Sequence, residues 1–337
     1  LRRGLGLAAA GCAMPGAIVE YNVRVISVLM YVAMLSPIPE TICKKERHLL
    51  HKLLHLPPNA MGLNEVLNVG CWGLPILASV RASVAAAAFR TAGSFKSTWE
   101  PAYAMLCSAA EGGVEIKKYY EGIRSPDHWK GPAHADFLSQ MWNGGTWCPD
   151  EGARKVLRAT AFAVGRRGKS VVQKKANEIF RQALIEPRWA ELLSRRHAWY
   201  FPAAPPLEFG MAQRFVSKSY GLFNRSSALK TLCGGWHTSR RMHEQEERSC
   251  IYGCSGDDDL RHYAACEALR LLFGGLPELA CRTSEDIFHC NDARGAARCA
   301  RGFQVYVYMK FRHLTHNYAK EVIAALCAEF PFMKPRA

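Results

Sequence analysis

The sequence predicts a mainly α-helical protein, and three stretches carry that prediction. Residues 40–55 (ETICKKERHLLHKLLH) repeat apolar side chains at spacings of three and four, as one face of an amphipathic helix does. Residues 74–92 (LPILASVRASVAAAAFRTA) are apolar and rich in alanine, the strongest helix former. Residues 150–196 hold three further helical patterns. A chain of 337 residues with 49% hydrophobic content can bury a sizeable core.

The elements can be taken in order from the N-terminus. Residues 23–35 (VRVISVLMYVAML) are apolar apart from Arg24 and Ser27 and predict a buried helix. The apolar run at 25–35 is shorter than the roughly 20 residues that a bilayer span needs, so we expect no membrane segment. Pro39 is expected to open the next helix, and Pro57 and Pro58 to end it near residue 55. Lys44, Lys45 and Arg47 give this helix a basic face.

Shifts in composition divide the chain into four predicted regions. Residues 1–61 form a helical segment, and residues 62–149 form an apolar helical region that ends in a linker rich in Gly, Pro and Trp. Residues 150–200 form a basic helical region. The breaker FPAAPPLEFG (201–210) starts the C-terminal region, 201–337. In its last segment, 303–330, the alternation at residues 305–308 predicts a short β-type stretch followed by a terminal helix.

The charge of the chain points to a polyanionic partner. Forty-four Lys and Arg against 29 Asp and Glu leave a net charge of +15. Residues 151–196 alone hold 12 basic and 4 acidic residues, a local +8. Nucleic acid is the commonest partner for such a surplus. The candidate RNA- or DNA-binding residues in this stretch are Arg166, Arg167, Lys169, Lys174 and Lys175.

The cysteines indicate an intracellular, reducing compartment, because most of the 13 are isolated along the chain. The exception is residues 250–266 (CIYGCSGDDDLRHYAAC), with the spacing Cys250-x3-Cys254-x7-His262-x3-Cys266. Three thiols and one imidazole are a donor set for tetrahedral zinc. Gly253 and Gly256 flank Cys254, where such a knuckle must turn sharply. All four positions would be ligands, so we expect a structural zinc site with no open position for catalysis.

Neighbouring residues admit more than one interpretation. The aspartates at 257–259 are interpreted as a solvated acidic turn, because no aromatic strand precedes them to build a two-metal catalytic site. Trp236, Tyr252 and Tyr263 could stack exposed bases or could pack around the knuckle, and the sequence leaves both open. Weaker metal-site candidates are the following groups: Cys233, His237 and His243; Cys281, His289, Cys290 and Cys299; and His51 with His55.

Two stretches carry a resemblance to a known family. Residues 21–61 (YNVRVISVLMYVAMLSPIPETICKKERHLLHKLLHLPPNAM) resemble the thumb region downstream of the palm in non-LTR retrotransposon reverse transcriptases, with its Y-N-x-R and E-R-x-x-L-H-K helices. Residues 234–266 resemble the C-terminal segment of the same proteins, in which a Trp/Thr/Ser/Arg stretch leads into a CCHC knuckle. The match covers some 70 of 337 residues. This knuckle has three residues between His262 and Cys266, where the family pattern has four.

The resemblance implies a function and its limits. It implies that residues 1–61 are thumb-like, that Arg240 and Arg241 contact RNA or DNA, and that a nuclear location is plausible. The catalytic palm is absent, since no aromatic-x-Asp-Asp motif occurs, so we expect a non-polymerising C-terminal portion: a fragment of a gene, a degenerate copy, or a piece that works with an upstream palm domain. Two alternatives stay open. The first is a zinc-stapled helical module that binds another protein, or an inactive remnant. The second is a zinc hydrolase, which would need an open coordination position and a general base that this sequence does not clearly offer. No small-molecule substrate is indicated.

Overall fold

The computed structural model describes residues 12–33, 40–57, 59–92, 187–201, 207–219, 221–244, 248–274 and 279–312, together with residues 177, 178, 181, 185 and 321. These residues are mainly helical and form no β-strand, which confirms the predicted fold class. An isolated antiparallel bridge joins Ser249 and Asp257. The described residues divide into two compact units: the first contains those within 20–49 and 78–185, and the second those within 12–19, 50–77 and 187–321.

The N-terminal helix α1, Met14–Ala33, is longer than the sequence predicts. Only one face of this helix is buried, because Val19, Val23 and Tyr31 are exposed. With 20 residues and a mean hydropathy of 1.3, it is the one helix among the described residues long and apolar enough to cross a membrane. Core helices of soluble proteins and signal sequences meet the same criterion, and the predicted absence of a membrane segment stays a prediction.

The first unit contains α1 from Glu20 onward, α2 (Glu40–Leu53) as far as Leu49, and α4 (Val80–Ala92). The predicted amphipathic helix is confirmed in α2: Leu49, Leu50 and Leu53 are buried while the basic residues face solvent. It ends two residues earlier than predicted, since Leu54 and His55 form a turn. Asn22 of α1 accepts a hydrogen bond from Ala78 N at 3.0 Å, just before α4 begins.

The second unit is a set of short helices around one long one. Its principal contact is between α7 (Leu222–Leu232) and α11 (Ala293–Arg312), which pack side by side. Gln304 of α11 donates to Asn224 Oδ1 of α7 at 2.8 Å, so polar side chains are paired inside this interface. The elements are α3 (Leu63–Leu67), α5 (Trp189–Tyr200), α6 (Phe209–Lys218), α7 (Leu222–Leu232), α8 (Ser239–Met242), α9 (Leu260–Ala265), α10 (Glu267–Gly274) and α11 (Ala293–Arg312), with 3₁₀ turns at Val69–Trp72 and Ser284–Ile287.

The β-type stretch predicted at residues 305–308 is wrong, because these residues lie within α11. Val305, Tyr306 and Met309 are buried, whereas Val307 and Tyr308 are exposed. Burial at positions i, i+1 and i+4 is the pattern of a helix face. The alternation of Val and Tyr resembled a strand in the sequence. In the structure Val307 and Tyr308 are simply large hydrophobic residues on the exposed face of the helix.

Candidate metal centre

The structure brings Cys250, Cys254, His262 and Cys266 together, with their ligand atoms all within 4.8 Å of one another. The Sγ of Cys266 lies 3.8 Å from that of Cys250 and 3.7 Å from that of Cys254. The Nε2 of His262 lies 2.9 Å from Cys254 Sγ. These three thiols and one imidazole could hold a metal ion.

Backbone turns explain how a 17-residue stretch makes four ligands converge. Cys250 N donates to Gly256 O at 2.7 Å and Gly253 N donates to Cys250 O at 3.1 Å, which closes the loop that carries Cys254. Gly253 has φ +85°, a left-handed conformation that favours glycine. At Gly256 a Cβ atom would overlap the imidazole of His262. Gly253 is therefore needed for its backbone conformation, and Gly256 is needed for the space that it leaves to His262.

The thiols of Cys250 and Cys266 share a hydrogen bond, which lowers the pKa of Cys250 and, together with burial, raises the pKa of Cys266. Tyr252 N lies 3.4 Å from Cys250 Sγ, and Leu269 N lies 3.4 Å from Cys266 Sγ. The hydrogen bond from Cys266 is the main reason that the pKa of Cys250 falls to about 5, against the opposing effect of burial. A thiolate is the form of cysteine that binds metals, so Cys250 is preset as a ligand.

Asp258 contradicts the interpretation of residues 257–259 as a solvated acidic turn. Asp257 is exposed, but Asp258 is only 1% exposed and Asp259 is 9% exposed. Five donors contact the Asp258 carboxylate: Ser239 N at 2.8 Å, Ser239 Oγ at 2.5 Å, Tyr263 Oη at 2.8 Å, Tyr306 Oη at 3.0 Å and Lys310 Nζ at 3.1 Å. The carboxylate thus ties the knuckle loop to α8 and to α11.

The aromatic residues near the knuckle pack in the interior. Trp236 and Tyr263 are fully buried and Tyr252 is 5% exposed, so none of them offers a face to a nucleic-acid base. Trp236 stacks on Tyr306 with ring centroids 4.9 Å apart, and Tyr263 contacts both rings at 5.5 Å. Of the two interpretations that the sequence left open, packing around the knuckle is the correct one.

The predicted basic contact residues differ in their accessibility. Arg240 has a side chain that is 62% exposed and pairs with Asp259 at 3.3 Å. Arg241 is half-buried, and burial together with the nearby charge of Arg196 lowers the pKa of its guanidinium. Five predicted contacts lie outside the described residues: Arg166, Arg167, Lys169, Lys174 and Lys175.

An exposed pair beside the knuckle escaped the sequence analysis. The guanidinium of Arg261, in the first turn of α9, lies 4.5 Å from the ring centre of Trp199, which is 39% exposed. The one feature of the sequence that could have indicated this pair is the position of Trp199, two residues after the buried His197 and so on the outer face of α5. Arg248, whose side chain is 52% exposed, lies on the same loop as the ligands.

The other candidate metal groups do not form in the described ranges, where the knuckle is the only such group. Cys233 is fully buried, and burial raises the pKa of its thiol. His289 Nε2 lies 2.5 Å from His197 Nε2, while Cys299 Sγ donates to Ile287 O at 3.1 Å. His51 Nε2 contacts Met61 O at 3.0 Å.

No protein-family model, no curated protein and no solved structure matches this chain. The resemblance of residues 21–61 and 234–266 to reverse transcriptases therefore stays a prediction.

Proposed function

We propose that this chain binds RNA or DNA as the non-catalytic C-terminal portion of a retroelement reverse transcriptase, with a structural zinc ion in the knuckle. The observation that carries the proposal is a group of exposed guanidinium groups, on Arg240, Arg248 and Arg261, beside a four-ligand metal centre in a chain of net charge +15. Such a surface attracts the phosphate backbone whatever the base sequence.

The distances between the ligand atoms support zinc. Tetrahedral coordination with Zn–S bonds of about 2.3 Å puts two sulfurs about 3.8 Å apart. The two separations from Cys266, 3.8 and 3.7 Å, fit that value. The Cys254–His262 separation of 2.9 Å would have to widen to about 3.5 Å around a shared ion. With four protein ligands no position is left for water, which favours a structural role over hydrolysis.

Trp199 is the proposed stacking residue, in place of the buried aromatics. An exposed indole with an arginine over its face offers a flat surface and a positive charge at one point, which suits an unpaired base and its phosphate. Single-stranded nucleic acid exposes both groups. The remaining predicted partner, an upstream palm domain, would supply the catalytic carboxylates that this sequence lacks.

The test is binding of a fluorescein-labelled 20-nucleotide single strand, as RNA and as DNA, followed by fluorescence anisotropy over a range of salt concentrations. We expect the logarithm of the association constant to fall linearly with that of the salt concentration, with a slope of about −0.7 per phosphate contact. Trp199→Ala should weaken binding by roughly 5- to 150-fold, the loss of about 1–3 kcal/mol expected for one stacked base. Trp199→Phe should restore most of it.

Arg261→Glu and Arg188→Glu are a matched pair. Each changes the net charge equally and both side chains are exposed, but Arg188 precedes α5 and lies about 16 Å along that helix from Trp199. We expect the first variant to reduce the salt slope and the second to leave it nearly unchanged. Binding that does not depend on salt, or equal effects of the two variants, would contradict the proposed surface and leave the zinc-stapled interaction module.

A further inference from the structure

The first unit contains a cavity of about 380 Å³ between α1, α2 and the start of α4. This volume is within the range of about 300–1,000 Å³ found for small-molecule sites. A π-helical turn, Asn22–Ile26, forms part of its wall through Arg24 and Val25. Such turns are uncommon and frequently occur at functional sites. The apolar wall consists of Val25, Val28, Leu29, Ile42, Leu49 and Val80.

One buried carboxyl group, that of Glu46, also lines this cavity. Glu46 is 3% exposed, and its Oε1 accepts hydrogen bonds from Val80 N at 2.7 Å and from Tyr21 Oη at 3.3 Å. Among the described residues no donor contacts Oε2. Oε1 is thus the oxygen used within the protein, and Oε2 is the carboxyl oxygen left to a bound ligand.

The charged groups around Glu46 are mostly positive. Arg24 of α1 and Lys45 of α2 line the cavity, and Arg81 of α4 acts on Glu46 electrostatically. Glu20 forms an ion pair with Arg24 and so offsets its charge. Burial, opposed by the hydrogen bonds from Val80 and Tyr21 and by Arg81, raises the pKa of Glu46 to about 7. Near neutral pH the group is therefore often protonated and can donate.

We propose that this cavity binds a small aliphatic carboxylate, whose head group accepts a hydrogen bond from protonated Glu46 Oε2 and pairs with Lys45. The aliphatic chain would lie against the valine and leucine side chains of α1 and α2. An amine ligand fits less well, because it would meet two cations and a carboxyl group that is ionised only in part. This site is independent of the proposed nucleic-acid surface.

Octanoate binding to the full chain, measured by isothermal titration calorimetry at pH 6 and pH 8, tests the proposal. With a pKa of about 7, Glu46 is about nine-tenths protonated at pH 6 and about one-tenth at pH 8. Octanoate stays ionised throughout, so its affinity should fall about tenfold between the two pH values. Octylammonium, the cationic control, should bind more weakly than octanoate at pH 6.

Variants separate this site from general attraction to a basic protein. Glu46→Gln keeps an acceptor and a donor but cannot titrate, so the pH dependence should disappear. Leu29→Trp fills the cavity and should abolish binding. Lys45→Gln should weaken binding, whereas its neighbour Lys44, which does not line the cavity, should tolerate the same change.

Four results would overturn the proposal. They are absence of octanoate binding at millimolar concentration, equal affinity at pH 6 and pH 8 in the unaltered chain, undiminished binding to Leu29→Trp, and tighter binding of octylammonium at pH 6. Circular dichroism shows whether the variants fold, and the pH comparison on the unaltered chain decides the matter if one does not.

Discussion

Asp258→Asn should be among the most destabilising conservative changes in the second unit. The substitution keeps the shape of the side chain but removes its charge and replaces one acceptor oxygen by a donor. The carboxylate is 1% exposed and receives hydrogen bonds from Ser239, Tyr263, Tyr306 and Lys310. An amide oxygen can keep some of these bonds, but the group that replaces the other oxygen faces donors.

The expected size follows from those contacts. A hydrogen bond to a charged group contributes about 1.5–3 kcal/mol net, and removing one partner of a buried ion pair costs about 3–5 kcal/mol. Lys310 keeps a second partner, Glu244 Oε1 at 2.9 Å, which moderates the loss. We therefore expect the free energy of unfolding to fall by about 3 kcal/mol at pH 7.

The loss should depend on pH in a defined direction. Burial acts to raise the pKa of Asp258, but hydrogen bonds from Ser239 and Tyr263 and the charge of Lys310 outweigh it and hold the pKa below its usual value of 3.8. Such a group stabilises the folded state above its unfolded pKa, and that contribution is lost as the pH falls through the folded pKa. The difference between the variant and the unaltered chain should thus be complete at pH 7 and shrink below about pH 4.

Urea unfolding followed by circular dichroism measures the effect, and the exposed neighbour provides the control. Asp257→Asn makes the same chemical change in the same loop and should alter stability by less than about 0.5 kcal/mol. If Asp258→Asn costs under about 1 kcal/mol at pH 7, or no more than the control, the carboxylate does not hold the knuckle to α8 and α11.

Three further predictions concern the two units separately. Glu46→Gln should stabilise the chain by up to about 3 kcal/mol at pH 8 and by little below pH 4.5, because a raised carboxyl pKa makes stability fall as the pH rises from 4.5 to about 7; urea unfolding at pH 4 and pH 8 measures it. Gly256→Ala should lower zinc affinity at least tenfold because its Cβ overlaps His262, whereas Gly253→Ala should cost about 1 kcal/mol of stability and keep the metal; elemental analysis and competition with a chelator distinguish them. The purified chain should contain one zinc ion, and removing it with a chelator should lower the unfolding temperature in a calorimetric scan.

The sequence predicted those features that depend on near neighbours in the chain. The start of α2 and its buried face follow from Pro39 and from its apolar spacing, and the knuckle follows from four candidate ligands within 17 residues. Asp258 could not be interpreted in the same way, because Ser239 lies 19 residues before it and Lys310 lies 52 residues after it. Consecutive aspartates are ordinarily exposed to water. The burial of Asp258 is possible only because hydrogen-bond donors that are distant in the sequence contact its carboxylate. The inward orientation of Trp236 likewise depends on Tyr306, 70 residues away.

The knuckle is therefore joined to a larger body and does not stand alone. Tyr263 directly follows the candidate ligand His262 and donates to Asp258, whose other donors lie on α8 and α11. These contacts connect the metal centre to α11. Metal binding and the packing of α11 against the knuckle loop should therefore favour each other, since both order that loop. An isolated peptide of residues 248–268 would keep the four ligands but lose Ser239, Tyr306 and Lys310. It would leave the Asp258 carboxylate to water, so its metal affinity should be lower than that of the full chain.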